Sequence, residues 1–231
     1  MLHNNYVNVF WLALIGFGIF ITLSILRKWF DGFILIAFSI GAACNANFYH
    51  ALSTPIPCGP FIFAIDAILY TLFIHTIIVK YLHYSLKDAK NMAIASIVAI
   101  VLSAVFDFLA NLNAFGYSAE LMLRFCNYLF SALGSLASIW IMFAFLEHSK
   151  KMNIYLRFFI AILIGSLLNS LVYYTGVIIH NGGMEQFWNI VLGSIVGKLY
   201  ACCLSIFCYW INGEILIPTD LKKINYHDLE Q

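Results

Sequence analysis

Charge is what this 231-residue chain has least of. Asp, Glu, Lys and Arg together make up 10% of it, hydrophobic residues make up 63%, and mean hydropathy is +0.90. A soluble domain carries about a quarter charged residues, so too few are present to cover a water-facing surface. That excludes a soluble enzyme, a secreted scaffold and a nucleic-acid-binding domain. A net charge of +1 exerts no pull on a polyanion. A disulfide or redox framework is also missing. No Cys-x-x-Cys occurs, and Cys44, Cys126, Cys202, Cys203 and Cys208 lie in apolar runs while Cys58 sits in a proline-rich turn. Small buried hydrophobes are the plain reading of these thiols. There is no phosphate loop ending in Gly-Lys-Ser/Thr, no His-Glu-x-x-His, no selectivity-filter-like loop, and no convincing pairing of a nucleophile with a base. The chain therefore reads as a non-enzyme, with no cofactor or metal expected.

What is present is apolar sequence recurring from Val7 to Ile211. Strands of a membrane barrel would alternate over about ten residues. These runs are continuous, so they read as helices, which need roughly 17–25 residues to cross a bilayer. Seven spans are expected, at about 7–26, 32–50, 61–82, 91–111, 122–146, 155–179 and 187–212. The second is short and ends in Asn45-Ala46-Asn47, which leaves six helices plus a re-entrant segment as the alternative. The expected fold is an all-α polytopic membrane bundle, with 1–215 as one transmembrane domain and 216–231 as a C-terminal tail. No Lys or Arg precedes the Val9–Ile25 run and no small-x-small cleavage site follows it, so it reads as a first span rather than a signal peptide.

The breaks carry their own signals. Arg27-Lys28-Trp29 closes the first span and Asp31-Gly32 follows. Thr54 to Pro60 reads as a rigid turn, because each proline removes a donor and restricts its neighbour. Ser85 to Lys90, Asn111 to Gly116, Glu147 to Asn153 and Asn181-Gly182-Gly183 read as further turns. Ten of the twelve basic residues fall in alternate loops: Arg27 and Lys28; Lys80, Lys87 and Lys90; Lys150, Lys151 and Arg157; Lys222 and Lys223. The intervening loops 51–60, 112–121 and 180–186 contain none. The positive-inside rule then puts the N-terminus outside and the C-terminus in the cytoplasm.

Ionisable residues within spans are costly and mark sites or buried pairs. Asp66 lies early in the third span, where it can accept donors from a ligand or pair with Arg124 or Lys198. Asp107 shares a helix face with Asn111 and reads equally as a site residue or a polar clasp. Arg124 follows Glu120 by four residues and can snorkel to headgroups. Lys198 is near mid-membrane, remote from water, and needs a carboxylate, a polar cavity or a substrate group. Gly193, Ser194 and Gly197 on its helix permit close packing. Ser166, Asn169 and Tyr173 give the sixth span a polar face. His75 reads as a structural histidine, with a proton relay as the alternative. Ser131 to Ser138 is a small-residue seam for packing inside the bundle or against another protein.

Three stretches resemble the queuosine-precursor transporter family, also described as vitamin-uptake-like membrane transporters. They are Gly59-Pro60-Phe61-Ile62-Phe63-Ala64-Ile65-Asp66; Ser131 to Ser138; and Arg157 followed by Gly165 to Tyr174, Trp188 and Lys198. Where the family carries an Asp-Thr pair this chain has Asn169-Ser170, which keeps hydrogen bonding and loses the negative charge. The resemblance implies uptake of 7-deazaguanine bases such as preQ0 or preQ1. A guanine-like edge would offer N–H donors to Asp66 or Asp107, its carbonyl would meet Asn169 or Lys198, and Tyr173 or Phe63 would stack on the ring. The expected partners are that small planar metabolite and the bilayer, with a homo-oligomer or an ATPase partner as further options. Two rival readings remain: a substrate-binding membrane subunit of an ATP-driven vitamin importer, and a non-transporting membrane scaffold or assembly protein.

Overall fold

The computed structural model describes residues 6–52, 56–58, 61–63, 66–181 and 187–211. The tail 216–231, with Lys222 and Lys223, and the Gly182-Gly183 turn lie outside the described residues. Six helices account for almost all of the rest: α1 (Tyr6–Leu52), α2 (Asp66–His83), α3 (Leu86–Phe115), α4 (Ala119–His148), α5 (Ile154–Asn181) and α6 (Phe187–Trp210). Between α1 and α2 lies a short hairpin, β1 (Ile56–Cys58) with β2 (Phe61–Phe63).

Five stretches are long and apolar enough to cross a membrane: Tyr6–Arg27, Leu86–Phe115, Ala119–His148, Ile154–Tyr173 and Trp188–Trp210. The bundle is inside-out relative to a soluble protein. Trp11, Phe106, Trp140 and Leu171 are exposed, whereas Asp66, His75, Asn169 and Lys198 are buried. Large apolar groups facing outward, over a core that also holds buried ionisable and amide side chains, fit an apolar solvent. The chain is an all-α multi-pass membrane bundle with a two-stranded insert.

Helix α2 is its axis. Fifteen of its eighteen residues are buried, and it packs against α1, α3, α5 and α6. Tyr70 bonds Ser138, and Tyr81 bonds Glu147, so α2 and α4 run parallel. Lys90 over Trp140 and Phe108 against Phe125 make α3 antiparallel to α4. Ser85 ends the α2–α3 turn by accepting from Asp88 N at 3.0 Å, and Ser118 caps α4 by accepting from Leu121 N at 3.1 Å.

Three expectations need correction. The break expected at 27–32 does not interrupt the helix: α1 is helical through all 47 residues. Straight, it would be about 70 Å long, more than twice the hydrocarbon core. Its contacts show that it folds back. Gly16 faces Ile68, and Gly32 faces Lys80 and Tyr84, so the first limb runs parallel to α2. Ser39 then bonds Ser96 at 2.9 Å, and Cys44 and Asn45 meet Ser103 and Asp107, so the second limb runs parallel to α3 and opposite to the first limb. No proline stands between Arg27 and Ser39 to stop the helix, and one glycine costs only about 1 kcal/mol.

Second, Phe61-Ile62-Phe63 is not the start of a helix. These residues pair antiparallel with Ile56-Pro57-Cys58, in register Ile56 with Phe63 and Cys58 with Phe61. Aromatic and β-branched side chains favour that extended state. Third, Asn111 to Phe115 is the last turn of α3, and the chain turns at Gly116 with φ of 77°, a left-handed conformation that glycine adopts without steric cost.

Candidate functional site

The hairpin meets α6 at Gly193, five residues before Lys198. A Cβ at Gly193 would collide with the backbone of Ile62, so only glycine lets the hairpin lie on α6. One turn on, a Cβ at Gly197 would sit 3.3 Å from Ala67 Cβ and 4.0 Å from Phe63 Cδ1. The hairpin thus brings Phe63 beside the backbone next to Lys198. It also moves Asp66 to the first position of α2 rather than a turn and a half inside it. The N-terminal end of a helix dipole favours a carboxylate there, which offsets part of the cost of burying it at 2% exposure.

Lys198 is 1% exposed. Its ammonium donates to the Ser166 carbonyl at 2.7 Å and to the Ser170 hydroxyl, and stands 5.3 Å from the centre of the Tyr70 ring. Among the described residues its third N–H has no hydrogen-bond acceptor. The Asp66 charge acts on Lys198 and also on the Tyr173 hydroxyl. A lysine at mid-span costs about 3 kcal/mol. Two charge-assisted hydrogen bonds, a ring face and a carboxylate in the same compartment offset that cost.

Helix α5 supplies one wall. Ser166, Asn169, Ser170 and Tyr173 follow the i, i+3, i+4, i+7 spacing of a single face, and all four are buried. Ser170 also meets Ser194 at 3.2 Å. Asn169 is 1% exposed, and neither Nδ2 nor Oδ1 has a hydrogen-bond partner. An unpaired buried amide costs roughly 1–3 kcal/mol. It lies against α4 at Gly134, where an added Cβ would come within 2.7 Å of Asn169 Oδ1. The small-residue seam closes this wall from within: Ser131, Ser135 and Ser138 are buried, and Ser138 bonds Tyr70 at 2.8 Å. The seam packs inside the bundle, which removes it as a docking face for another protein.

Asp66, Asn169, Tyr173, Lys198 and Phe63 therefore share one region. Asp107 does not. Its carboxylate accepts from Asn111 Nδ2 at 3.0 Å and lines a separate cavity with Cys44, Asn45, Ser103 and Tyr128. Arg124 points at Glu120, 3.8 Å away, not at Asp66. Tyr70 belongs to the site without having been picked out from the sequence, although its place four residues after Asp66 puts both on one helix face. His75 is fully buried between the rings of Phe20 and Phe158, at 5.5 and 5.4 Å, with no hydrogen bond to either ring nitrogen. Nothing among the described residues links it to Lys198. The side chain of Tyr174 lies outside the described residues.

At the opposite end of α2, Tyr81 donates to Glu147 at 2.5 Å. Arg157 donates to the Tyr81 hydroxyl at 2.9 Å and to the Leu146 carbonyl at 2.5 Å. That clasp ties α2, α4 and α5 together, and of its members only Arg157 figured in the resemblance read from the sequence. Among the described residues no group of three His, Cys, Asp or Glu side chains is placed to hold a metal. No protein-family model matches the chain, and no curated protein or solved structure matches it either.

Proposed function

We propose that the chain is a bacterial inner-membrane uptake transporter for a small planar nitrogenous metabolite, with 7-deazaguanine queuosine precursors such as preQ1 as the preferred substrate. The observation that carries this reading is Asn169: both of its polar atoms are unpaired in the bundle interior, on the same helix face that holds the Lys198 ammonium. An interior that keeps an unsatisfied amide beside a lysine with a spare donor suits a polar ligand that completes both. A fused lactam ring does so chemically. Its carbonyl accepts from Lys198 and from the Asn169 amide nitrogen, its N–H edge donates to Asp66, and Phe63 or Tyr173 covers its face. Such a site is mainly apolar with a few fixed polar groups, as small-molecule sites generally are.

In this reading the chain crosses the membrane seven times, through the two limbs of α1 and through α2 to α6. The hairpin closes the outer end over the site, and the Tyr81–Glu147–Arg157 clasp closes the cytoplasmic end. The N-terminus is outside, because Arg27, Lys80, Lys87, Lys90, Lys150, Lys151 and Arg157 then fall at or near the cytoplasmic ends of their helices. Transport proceeds by alternately opening the two ends around a fixed site.

The test is uptake of labelled preQ1 into cells unable to synthesise it. Cells expressing the wild-type chain should accumulate label saturably, and cells expressing Lys198→Ala at equal membrane levels should not. No uptake by correctly inserted wild-type protein would overturn the substrate and the stand-alone carrier together.

A further inference from the structure

A second polar cavity lies away from Lys198, between the second limb of α1, α3 and α4. Its volume is about 220 Å³, and it is lined by Cys44, Asn45, Ser103, Asp107 and Tyr128. Asp107 supplies the formal charge in that lining. One of its oxygens accepts from Asn111, and the other has no hydrogen-bond or ion-pair partner among the described residues. Arg124 is turned toward Glu120, 3.8 Å away, and forms no ion pair with Asp107, although its charge reaches Tyr128 in the cavity wall. A carboxylate in the membrane zone with no cation against it is expensive.

Two of the donors around the cavity are turned back onto their own helices. Asn45 Nδ2 donates back to the Gly41 carbonyl at 2.8 Å, and the Ser103 hydroxyl donates back to the Ile100 carbonyl at 2.8 Å. The amide oxygen of Asn45 is left as an acceptor beside the free oxygen of Asp107, while the Ser103 hydroxyl also meets the Cys44 thiol. A lining whose carboxylate keeps one oxygen unpaired, with an amide oxygen beside it, selects a cationic ligand that brings donors. An ammonium group, with three donors and no acceptor, has that character. A carboxylate ligand would meet the negative charge of Asp107.

We propose that this cavity is a second binding site, specific for a small organic amine in its ammonium form, seated on Asp107 with Tyr128 beside it. A bare metal ion fits worse. Hard cations want six or more oxygens at close range, the cavity is far larger than one ion, and the Cys44 sulfur is a soft ligand. The ammonium can be that of a soluble amine or of an aminolipid headgroup, and Asn45, exposed at the rim, leaves an approach for either.

Cys44 reports on occupancy, because it is half-buried in the wall. The experiment uses the full chain with its other five cysteines replaced, in nanodiscs of phosphatidylcholine at neutral pH. The rate of Cys44 modification by methyl methanethiosulfonate is followed by mass spectrometry. Saturating benzylamine should slow modification at least five-fold, and its neutral analogue benzyl alcohol should not. Asp107→Asn should abolish the protection. If that variant does not fold, Asn45→Leu, which removes an acceptor at the rim, should weaken it. Slowing in phosphatidylethanolamine nanodiscs without added amine would identify the lipid headgroup as the source. The proposal is overturned if Cys44 is unreactive throughout, if neither benzylamine nor phosphatidylethanolamine slows modification, if benzyl alcohol protects equally, or if protection survives in a folded Asp107→Asn chain.

Discussion

Replacing Asn169 with leucine should stabilise the protein and, in the transport reading, abolish uptake. Leucine has the same four side-chain heavy atoms as asparagine in the same branched arrangement, but no polar group. In the unliganded bundle both polar atoms of Asn169 are buried and unpaired, so the substitution removes a desolvation penalty of about 1–3 kcal/mol. The larger tetrahedral group has to fit against Gly134, which already allows no Cβ without a 2.7 Å contact to Asn169. That crowding returns part of the gain. A net stabilisation of about 1 kcal/mol is expected, or roughly 2–4 °C in the unfolding midpoint for a chain of this size. The midpoint is followed by intrinsic fluorescence in detergent, with five Trp available, and uptake is measured on the same preparation in proteoliposomes. Loss of transport together with an unchanged or raised midpoint is the expected pair, the pattern of a site residue kept at the expense of stability. A midpoint several degrees lower with transport intact would refute the reasoning, because Asn169 would then be a structural amide.

Gly193→Ala should lift the hairpin off α6, since its Cβ overlaps the Ile62 backbone rather than a movable side chain. Overpacking of this kind costs about 1–3 kcal/mol, and a lower unfolding midpoint with faster protease cleavage near residues 56–63 would register it. Gly197→Ala, with 3.3 Å to Ala67 Cβ as its tightest contact, should be much milder in the same assay. Arg157→Met should cost about 1.5–3 kcal/mol by removing the charged donor to Leu146 and Tyr81. In the transport reading it should also raise accessibility of the α2–α4–α5 end to water-soluble thiol reagents, measured at a cysteine introduced at Leu146.

Much of the bundle was legible because lipid-facing helices must be long and apolar. The bounds of α3 to α6 fall within about five residues of those read from hydropathy, and Ser85 and Ser118 stand where caps are chemically expected. A reversal was read at 27–32 from the basic residues there, and the contacts of Gly32 and Ser39 place one close by; what hydropathy could not show is that the backbone stays helical through it. The hairpin was hidden for a different reason: three aromatic and β-branched residues after a proline look the same to a hydropathy scan whether helical or extended.

Within the site, Lys198 stood out from its burial cost alone, and the i, i+3, i+4 face of α5 followed from periodicity. Separating Asp66 from Asp107 did not follow. Both are carboxylates toward the same end of neighbouring helices, and only the packing of α6 on α2, and of the second α1 limb on α3, assigns them to different compartments. Tyr70 went unnoticed among thirteen tyrosines, since composition cannot say which aromatic ring faces inward.

The measurement closest to the central claim is equilibrium binding of tritiated preQ1 to the purified chain in nanodiscs, compared with Lys198→Met and Asn169→Leu. The account predicts saturable one-to-one binding by the wild type, displaced by unlabelled preQ0, and at least a ten-fold weaker affinity in each folded variant. Binding of equal strength in all three chains, or none in a folded wild-type chain, would contradict it.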